Sequence, residues 1–202
     1  MPNLALFPLF YLPPVAYFSK LIEHNFNITI EKHEHFIKQT YRNRVKIASP
    51  DGILDLTIPV VKGSKVHTPV KDVKISYDFK WQRLHWLSMQ TCYRSSAYFE
   101  YYEDGLAYFY EKKFDFLFDY NLELLHWLFK QLKINAQINF SDEYFKELTE
   151  GVDLRNSFAK NENNLVETKN YFQVFSDRNE FIPNLSIVDL LFNQGPQSKI
   201  YF

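Results

Sequence analysis

The hydrophobic pattern at the start of the chain predicts a β-α-β unit. The apolar run NLALF, residues 3–7, indicates a short buried strand, and PPVAYFSKLIEH, residues 13–24, indicates a helix that begins near Pro14. Residues 26–31, FNITIE, alternate between apolar and polar side chains as a half-buried strand does. This order predicts two parallel strands in one sheet, joined by a right-handed crossover.

The following pattern predicts a β-hairpin. Residues 43–60, NRVKIASPDGILDLTIPV, indicate two strands around a Pro-Asp-Gly turn. Side chains on a strand alternate between its faces, so Val45 and Ile47 are expected to face the core. By the same alternation Arg42, Arg44 and Lys46 are expected to share the opposite face. Residues 70–78, VKDVKISYD, predict a further strand.

The second half of the chain has mainly helical spacing. Residues 81–99 and 114–132 predict amphipathic helices, and Gly105 allows a break between them. The apolar stripe of the second helix is expected to consist of Phe118, Leu122, Leu125 and Phe129.

The last third predicts a short helix ending near Gly151, a strand in YFQVF, residues 171–175, and a final helix. Ser186 is the expected cap of that helix, with Asp189 completing a capping box and Gly195-Pro196 ending it. The polar stretch of about 154–170 is expected to be a mobile loop within a single domain, residues 1–202. The fold class predicted is α/β, with a mostly parallel central sheet, a β-hairpin and a helical second half.

Composition excludes several classes of function. With 202 residues, 46% of them hydrophobic, the chain can bury a sizeable core, and its net charge of −1 gives no general attraction to nucleic acid. Cys92 is the single cysteine, which excludes an intrachain disulfide and fits a reducing compartment. The apolar start lacks a basic region and is interrupted by prolines, so we expect neither a signal peptide nor a membrane span, and a cytoplasmic protein.

The stretch IKQTYRNRVKI, residues 37–47, is the strongest candidate for binding chemistry. Arg42 and Arg44 can each hold a phosphate or carboxylate through two parallel hydrogen bonds, and Gln39 and Asn43 add further donors. We expect them to form an anion-binding site near the loop Tyr11–Pro14, at the carboxyl edge of the sheet. The alternative is a solvated face with salt bridges, for example to Asp55.

His85 is the candidate for proton transfer, as a general acid or as a donor to phosphate. The alternative is a packed histidine with its hydrogen bonds satisfied inside the protein. Cys92 lies seven residues farther along the same predicted helix, too far for a direct hydrogen bond to His85, and is expected to be buried and inert.

We expect neither a metal nor an identifiable cofactor. His33 and His35 would share a strand face, but no residue nearby completes a ligand set with a recognisable spacing. The five glycines of the chain do not form a phosphate-binding loop.

Several segments resemble the WbqC-like family of bacterial proteins, among them FIKQTYRNRVKI, DGILDLTIPV and PNLSIVDLLFNQGP. The resemblance runs from about residue 4 to 197. It implies a link to O-antigen and capsule biosynthesis, and it assigns no catalytic residue.

Two hypotheses follow. The first is an enzyme of bacterial cell-surface polysaccharide biosynthesis, with a transferase as the candidate class, acting on a sugar nucleotide or another phosphate-bearing or acyl intermediate. In it Arg42 and Arg44 hold the anion and His85 moves a proton. The residues expected to complete the pocket are Tyr11, Tyr17 and Asn184. The second hypothesis is a non-catalytic ligand-binding or scaffold protein.

Overall fold

A computed structural model describes residues 4–61, 67–148, 150–158 and 169–202. The strands are β1 Ala5–Phe7, β2 Asn27–Ile30, β3 Arg44–Ser49, β4 Gly52–Thr57, β5 Gln137–Phe140 and β6 Val152–Asp153. The α-helices are α1 Val15–Glu23, α2 Trp81–Tyr93, α3 Phe99–Glu111, α4 Leu117–Gln131 and α5 Ile187–Gln194. Short 3-10 helices occupy Val70–Asp72 and Gly195–Tyr201.

Four strands form a parallel sheet in the order β5-β2-β1-β6. β1 and β2 are neighbours in this sheet and α1 connects them, so the predicted β-α-β unit is confirmed. The chain places β2 and then β5 on one side of β1, and β6 on the other side. The strand order therefore reverses between β1 and β6, the kind of position at which open α/β sheets usually bind ligands.

The predicted hairpin is also confirmed. Val45 lies opposite Leu56 and Ile47 opposite Leu54 in an antiparallel β3-β4 pair, and both Val45 and Ile47 are fully buried. Gly52 closes the turn with φ +104°, a conformation that favours glycine.

The helical half packs around aromatic and aliphatic side chains. Most of the predicted stripe of α4 is buried, with Leu122 at the margin of the core. Gly105 lies inside α3 and does not break it. The indole Nε1 of Trp127 lies 2.8 Å from the position that a Cβ on Gly105 would occupy, so this glycine allows α4 to pack closely against α3. The predicted α/β class, with a helical second half, is confirmed.

Three of the predicted elements are wrong. Residues 70–78 contain a 3-10 turn and two isolated bridges, Val60–Ile75 and Lys74–Phe116, in place of a continuous strand. Residues 171–175 form no strand. The described residues from 141 to 150 contain no helix, and the two-residue strand β6 follows them. Short segments of this kind take their conformation from tertiary contacts more than from their own pattern.

The polar stretch 154–170 divides into two parts. Its beginning is packed, because Leu154 and Arg155 are buried and the ring of Phe158 lies edge-on to Phe10 with centroids 5.5 Å apart. The start of this stretch is therefore packed against the core, the mobility expected for it stays a prediction, and residues 159–168 lie outside the described part of the chain.

The end of the chain corrects one further assignment. Ser186 caps α5 as predicted, because its side chain accepts a hydrogen bond from the Val188 amide. Asp189 does not complete a capping box. It is buried and accepts hydrogen bonds from Tyr93, Tyr171 and Gln173, and desolvation raises its pKa although these hydrogen bonds act against the rise. Among the described residues, no helix combines the length and apolar composition that a membrane crossing requires.

Candidate functional site

A polar cavity of about 210 Å³ lies at the carboxyl edge of the parallel sheet. We call it the sheet-edge cavity. The loop after β2 supplies Glu34 and His35, and the segment after β5 supplies Tyr144 and Lys146. Strand β6 and the residues after it supply Asp153 and Arg155. Parallel strands bring these segments together because their carboxyl ends all lie at the same edge.

Glu34 lines this cavity and forms an ion pair with Arg42. The Arg42 Nε and Nη2 atoms donate to the two carboxylate oxygens of Glu34 at 2.7 and 2.6 Å, and Nη2 also donates to the Arg155 carbonyl at 3.2 Å. Arg42 is 3% exposed and Glu34 is 5% exposed. Desolvation raises the pKa of Glu34 above its ordinary value, and the hydrogen bonds and charge of Arg42 offset only part of this effect.

A second ion pair, between Arg155 and Asp153, forms the neighbouring wall. The guanidinium donates to both oxygens of Asp153, with the shortest contact at 2.6 Å, and to the Phe145 carbonyl at 2.6 Å. Desolvation of Asp153 would raise its pKa, but the hydrogen bonds and charge of Arg155 hold it below its ordinary value. Arg155 therefore keeps its charge at the cavity while its geometry is fixed by protein acceptors.

Stacked rings line the rim. The His35 ring lies nearly parallel to that of Tyr144, at 13° with centroids 5.6 Å apart, and stacks on His67 at 4.6 Å. Lys146 is exposed beside them and makes no ion pair within the part of the chain that the structure describes. The flat rings can stack on a planar group of a ligand. The ammonium group of Lys146 can pair with an anion, and the Glu34 carboxyl, with its raised pKa, can exchange a proton.

His85 lies in a different part of the molecule, in a chain of hydrogen bonds through two tyrosines. The Tyr11 hydroxyl is 3.1 Å from His85 Nδ1 and 2.8 Å from the Tyr110 hydroxyl. All three side chains are buried. Burial lowers the pKa of His85 to about 4, despite a hydrogen bond to the Thr57 carbonyl that favours the protonated ring. The imidazole is therefore neutral at pH 7.

The two predicted arginines do not share a face. Arg42 precedes β3 and points to Glu34, whereas Arg44 begins β3 and donates to Thr57 Oγ1 at 3.1 Å and to Asp55 at 3.4 Å. The salt-bridge alternative foreseen for Arg44 is therefore the arrangement that the structure contains.

The other predicted ligand-binding residues have separate positions. Asn43 donates to the Ile58 carbonyl, Tyr17 donates to the Pro8 carbonyl, and Asn184 accepts from the Ala16 amide near the start of α1. Gln39 is exposed, with φ +60°. None of these side chains lines the sheet-edge cavity.

None of the residues that line the cavity was predicted from the sequence to bind a ligand, among them Glu34, Lys146 and Arg155. Glu34 lies in the EKHEHF segment, where the spacing of the histidines is the more conspicuous pattern, and Arg155 lies in a polar stretch predicted to be mobile. The sequence offers no periodic pattern here, only two charged residues, Asp153 and Arg155, directly after Gly151-Val152.

Cys92 is buried, as predicted, and desolvation raises the pKa of its thiol. In the described ranges, no three side chains among His, Cys, Asp and Glu are placed to hold a metal ion.

Comparison with known proteins places the chain in a family. A model described as the WbqC-like protein family matches residues 10–162 and 149–201. The uncharacterized protein Rv1507c of Mycobacterium tuberculosis is 25% identical over 229 residues, which cover 100% of this chain and 97% of that protein. No solved structure matches the chain significantly. Because the family model covers nearly the whole sequence, the chain belongs to the WbqC-like protein family.

Proposed function

We propose that the protein is an enzyme of bacterial cell-surface polysaccharide biosynthesis that acts on a sugar nucleotide or another phosphate-bearing intermediate. The observation that carries the proposal is the sheet-edge cavity, which combines cations, stacked rings and a buried acid at the carboxyl edge of the parallel sheet. The polysaccharide context comes from the association of the WbqC-like family with O-antigen and capsule biosynthesis.

The ligand would be held by the side chains at the mouth of this cavity. Lys146 is the cation that can approach a phosphate without losing a protein partner, while Arg155 contributes positive charge from the wall. His35 and Tyr144 offer flat surfaces for a base. The cavity is large enough for the phosphate-bearing part of the ligand, and the exposed rim is available for the rest.

Glu34 is the group that we propose to move a proton in this reaction. It lines the cavity and its raised pKa brings it closer to neutral pH, as proton transfer in catalysis requires. Proton transfer by His85 and direct ligand contacts by Arg42 and Arg44 stay predictions. His85 does not line this cavity, and both arginines already have protein acceptors.

The test is a ligand screen by thermal shift and calorimetry with UDP-, GDP-, dTDP- and CMP-linked sugars. We expect at least one to bind, and Lys146→Ala to weaken that binding roughly 10- to 150-fold, because one charge-assisted contact is worth about 1.5–3 kcal/mol. Lys130→Ala is the matched control, because Lys130 is exposed on α4 and lies outside the cavity lining. Failure of every sugar nucleotide to bind, or equal binding by Lys146→Ala, would contradict the proposal.

Glu34→Gln separates the enzyme from a non-catalytic binding protein. The amide keeps the size of the side chain and removes the titrating proton. If the protein is an enzyme, the variant binds the ligand and loses the conversion seen by mass spectrometry in the unaltered protein. If the unaltered protein binds a sugar nucleotide but converts it under no condition with sugar or acyl acceptors, the binding-protein hypothesis is preferred.

A further inference from the structure

A second cavity, of about 340 Å³, lies between the start of α2 and the end of α3. We call it the α2 cavity. Its aromatic wall consists of Tyr77, Phe79, Trp81 and Tyr110, and its charged residues are Lys80, Arg83 and Lys113. The Gln82 side chain fixes the two helices to each other by donating to the carbonyls of Phe109 and Lys112.

The charge of this cavity is of one sign. Its lining includes three cations and no acid, whereas the sheet-edge cavity contains the acids Glu34 and Asp153 beside its cations. Within the described ranges, Lys80, Arg83 and Lys113 form no ion pair. For a chain with a net charge of −1, three uncompensated cations around one space are a local concentration of positive charge.

Two of these cations, Lys80 and Arg83, also lie in an electrostatically unfavourable position in the empty protein, at the amino end of α2. Helix α2 begins at Trp81, has no side-chain cap and no acidic residue in its first turn, and carries Arg83 there. The amino end of a helix has a partial positive charge, which favours anions and disfavours cations. A bound anion would therefore relieve repulsion among the helix end, Lys80 and Arg83.

The apolar part of the cavity favours a ligand with a flat ring. Trp81 is fully buried, Tyr110 is nearly so, and Phe79 is 55% exposed at the mouth. Lys113 Nζ already lies 5.1 Å from the centre of the Tyr77 ring, so cation and aromatic groups alternate around the space. A simple inorganic anion would leave the aromatic surface without contacts.

We propose that the α2 cavity is a second ligand site, for an anionic compound that carries an aromatic ring, of the class of aryl phosphates and nucleotides. This site is independent of the sheet-edge cavity. Its wall also contains Tyr110, whose hydroxyl is hydrogen bonded to that of Tyr11, and the Tyr11 hydroxyl lies 3.1 Å from His85 Nδ1.

The test uses calorimetric titration of the full chain with phenyl phosphate, with inorganic phosphate and phenol as the two halves of the ligand. We expect phenyl phosphate to bind more tightly than either half. Arg83→Gln and Lys113→Gln should each weaken it by roughly tenfold, since each removes one charge-assisted contact. Lys146→Ala should leave the binding that depends on Arg83 and Lys113 unchanged, because Lys146 belongs to the other cavity.

A second measurement uses the repulsion at the helix end. Arg83→Gln should raise the melting temperature of the empty protein by about 1–4 °C while it weakens binding, because it removes a cation from the amino end of α2. A residue that served only stability would show the opposite sign.

Three results would overturn the inference. In the first, Arg83→Gln leaves the affinity for phenyl phosphate unchanged. In the second, Lys146→Ala alone abolishes binding, which would assign the ligand to the sheet-edge cavity and leave the proposed function standing. In the third, inorganic phosphate binds as tightly as phenyl phosphate, so that the rings take no part.

Discussion

Glu34 and His85 are equally buried, but their surroundings differ in charge. At the sheet-edge cavity the Glu34 carboxylate accepts two hydrogen bonds from the Arg42 guanidinium, and Arg155 and Asp153 form a second ion pair beside it. His85, on α2, has only neutral hydrogen-bonding partners among these groups. They are the Tyr11 hydroxyl, which is itself bonded to the Tyr110 hydroxyl, and the Thr57 carbonyl.

The difference determines what each region can do at neutral pH. Neutral partners cannot compensate a positive charge, so burial lowers the pKa of His85 to about 4 and the ring stays uncharged. At the sheet edge, desolvation raises the pKa of Glu34 while Arg42 limits the rise. A carboxyl that borders a cavity and titrates above its ordinary value is suited to proton exchange with a ligand, whereas the neutral chain around His85 is suited to stability.

The largest expected loss of stability comes from Arg42→Ala, at the charged ion pair of the sheet edge. Removal of the guanidinium leaves the buried Glu34 carboxylate without its ion-pair partner, which typically costs about 3–5 kcal/mol of unfolding free energy. Urea denaturation at pH 7 measures it. Glu34→Gln combined with Arg42→Met should recover much of the loss, because no buried charge then remains.

A result near wild-type stability for Arg42→Ala would contradict the structural role. It would support the original expectation from the sequence, in which Arg42 serves a ligand and has no protein partner to lose.

His85→Gln tests the neutral region through its pH dependence. The folded protein leaves His85 unprotonated down to a pKa of about 4, whereas the unfolded chain binds a proton near pH 6.5. Between these values the unfolded state binds more protons, so stability is fully present above pH 6.5 and is lost as the pH falls toward 4.

From this shift we expect the unaltered protein to lose about 2 kcal/mol more than His85→Gln between pH 7 and pH 5, as measured by urea denaturation at both pH values. Use of the difference between the two proteins removes the contribution of Glu34 and the other titrating groups common to both. Parallel pH profiles would mean that His85 is accessible to protons in the folded state, and would restore it as a candidate acid.

The parts of the fold that the sequence predicted share one property, which is that local pattern and tertiary position agree. The β1-α1-β2 unit follows from apolar runs separated by Pro14, and the hairpin from alternation around Gly52. The pattern of residues 171–175 predicts a strand, but the Gln173 side chain forms hydrogen bonds with the backbone of Ile182 and with the Asp189 carboxylate, and the segment is irregular. A two-residue strand such as β6 is too short to have a pattern.

The site was harder to predict because its residues meet only through the sheet. Arg42 forms a buried ion pair with Glu34, which lines the cavity, and the predicted binding of an anion by Arg42 stays a prediction. Its partner Glu34 lies in an irregular loop, where no period relates it to Arg42, and Arg155 lies more than a hundred residues away in sequence. An arginine in a pattern of alternating charge is equally compatible with a ligand and with a buried acid, and only three-dimensional contacts distinguish the two.

The smallest effect on stability is expected for Arg44→Ala, the counterpart of Arg42→Ala. Arg44 pairs with Asp55 across the hairpin at 3.4 Å, and the side chains are 17% and 39% exposed. Solvent-accessible pairs of this kind contribute about 0–1 kcal/mol, and part of that is screened by salt. Equilibrium denaturation at low and at high salt should therefore give a loss of unfolding free energy below about 1 kcal/mol that shrinks as salt is added.

The Arg44→Ala variant also tests where the ligand binds, because it can be titrated with the sugar nucleotide that binds the unaltered protein. Unchanged affinity would restrict the site to the sheet-edge cavity. A tenfold loss of affinity with unaltered stability would instead make Arg44 a ligand contact, and would extend the site from the cavity onto the face of the hairpin.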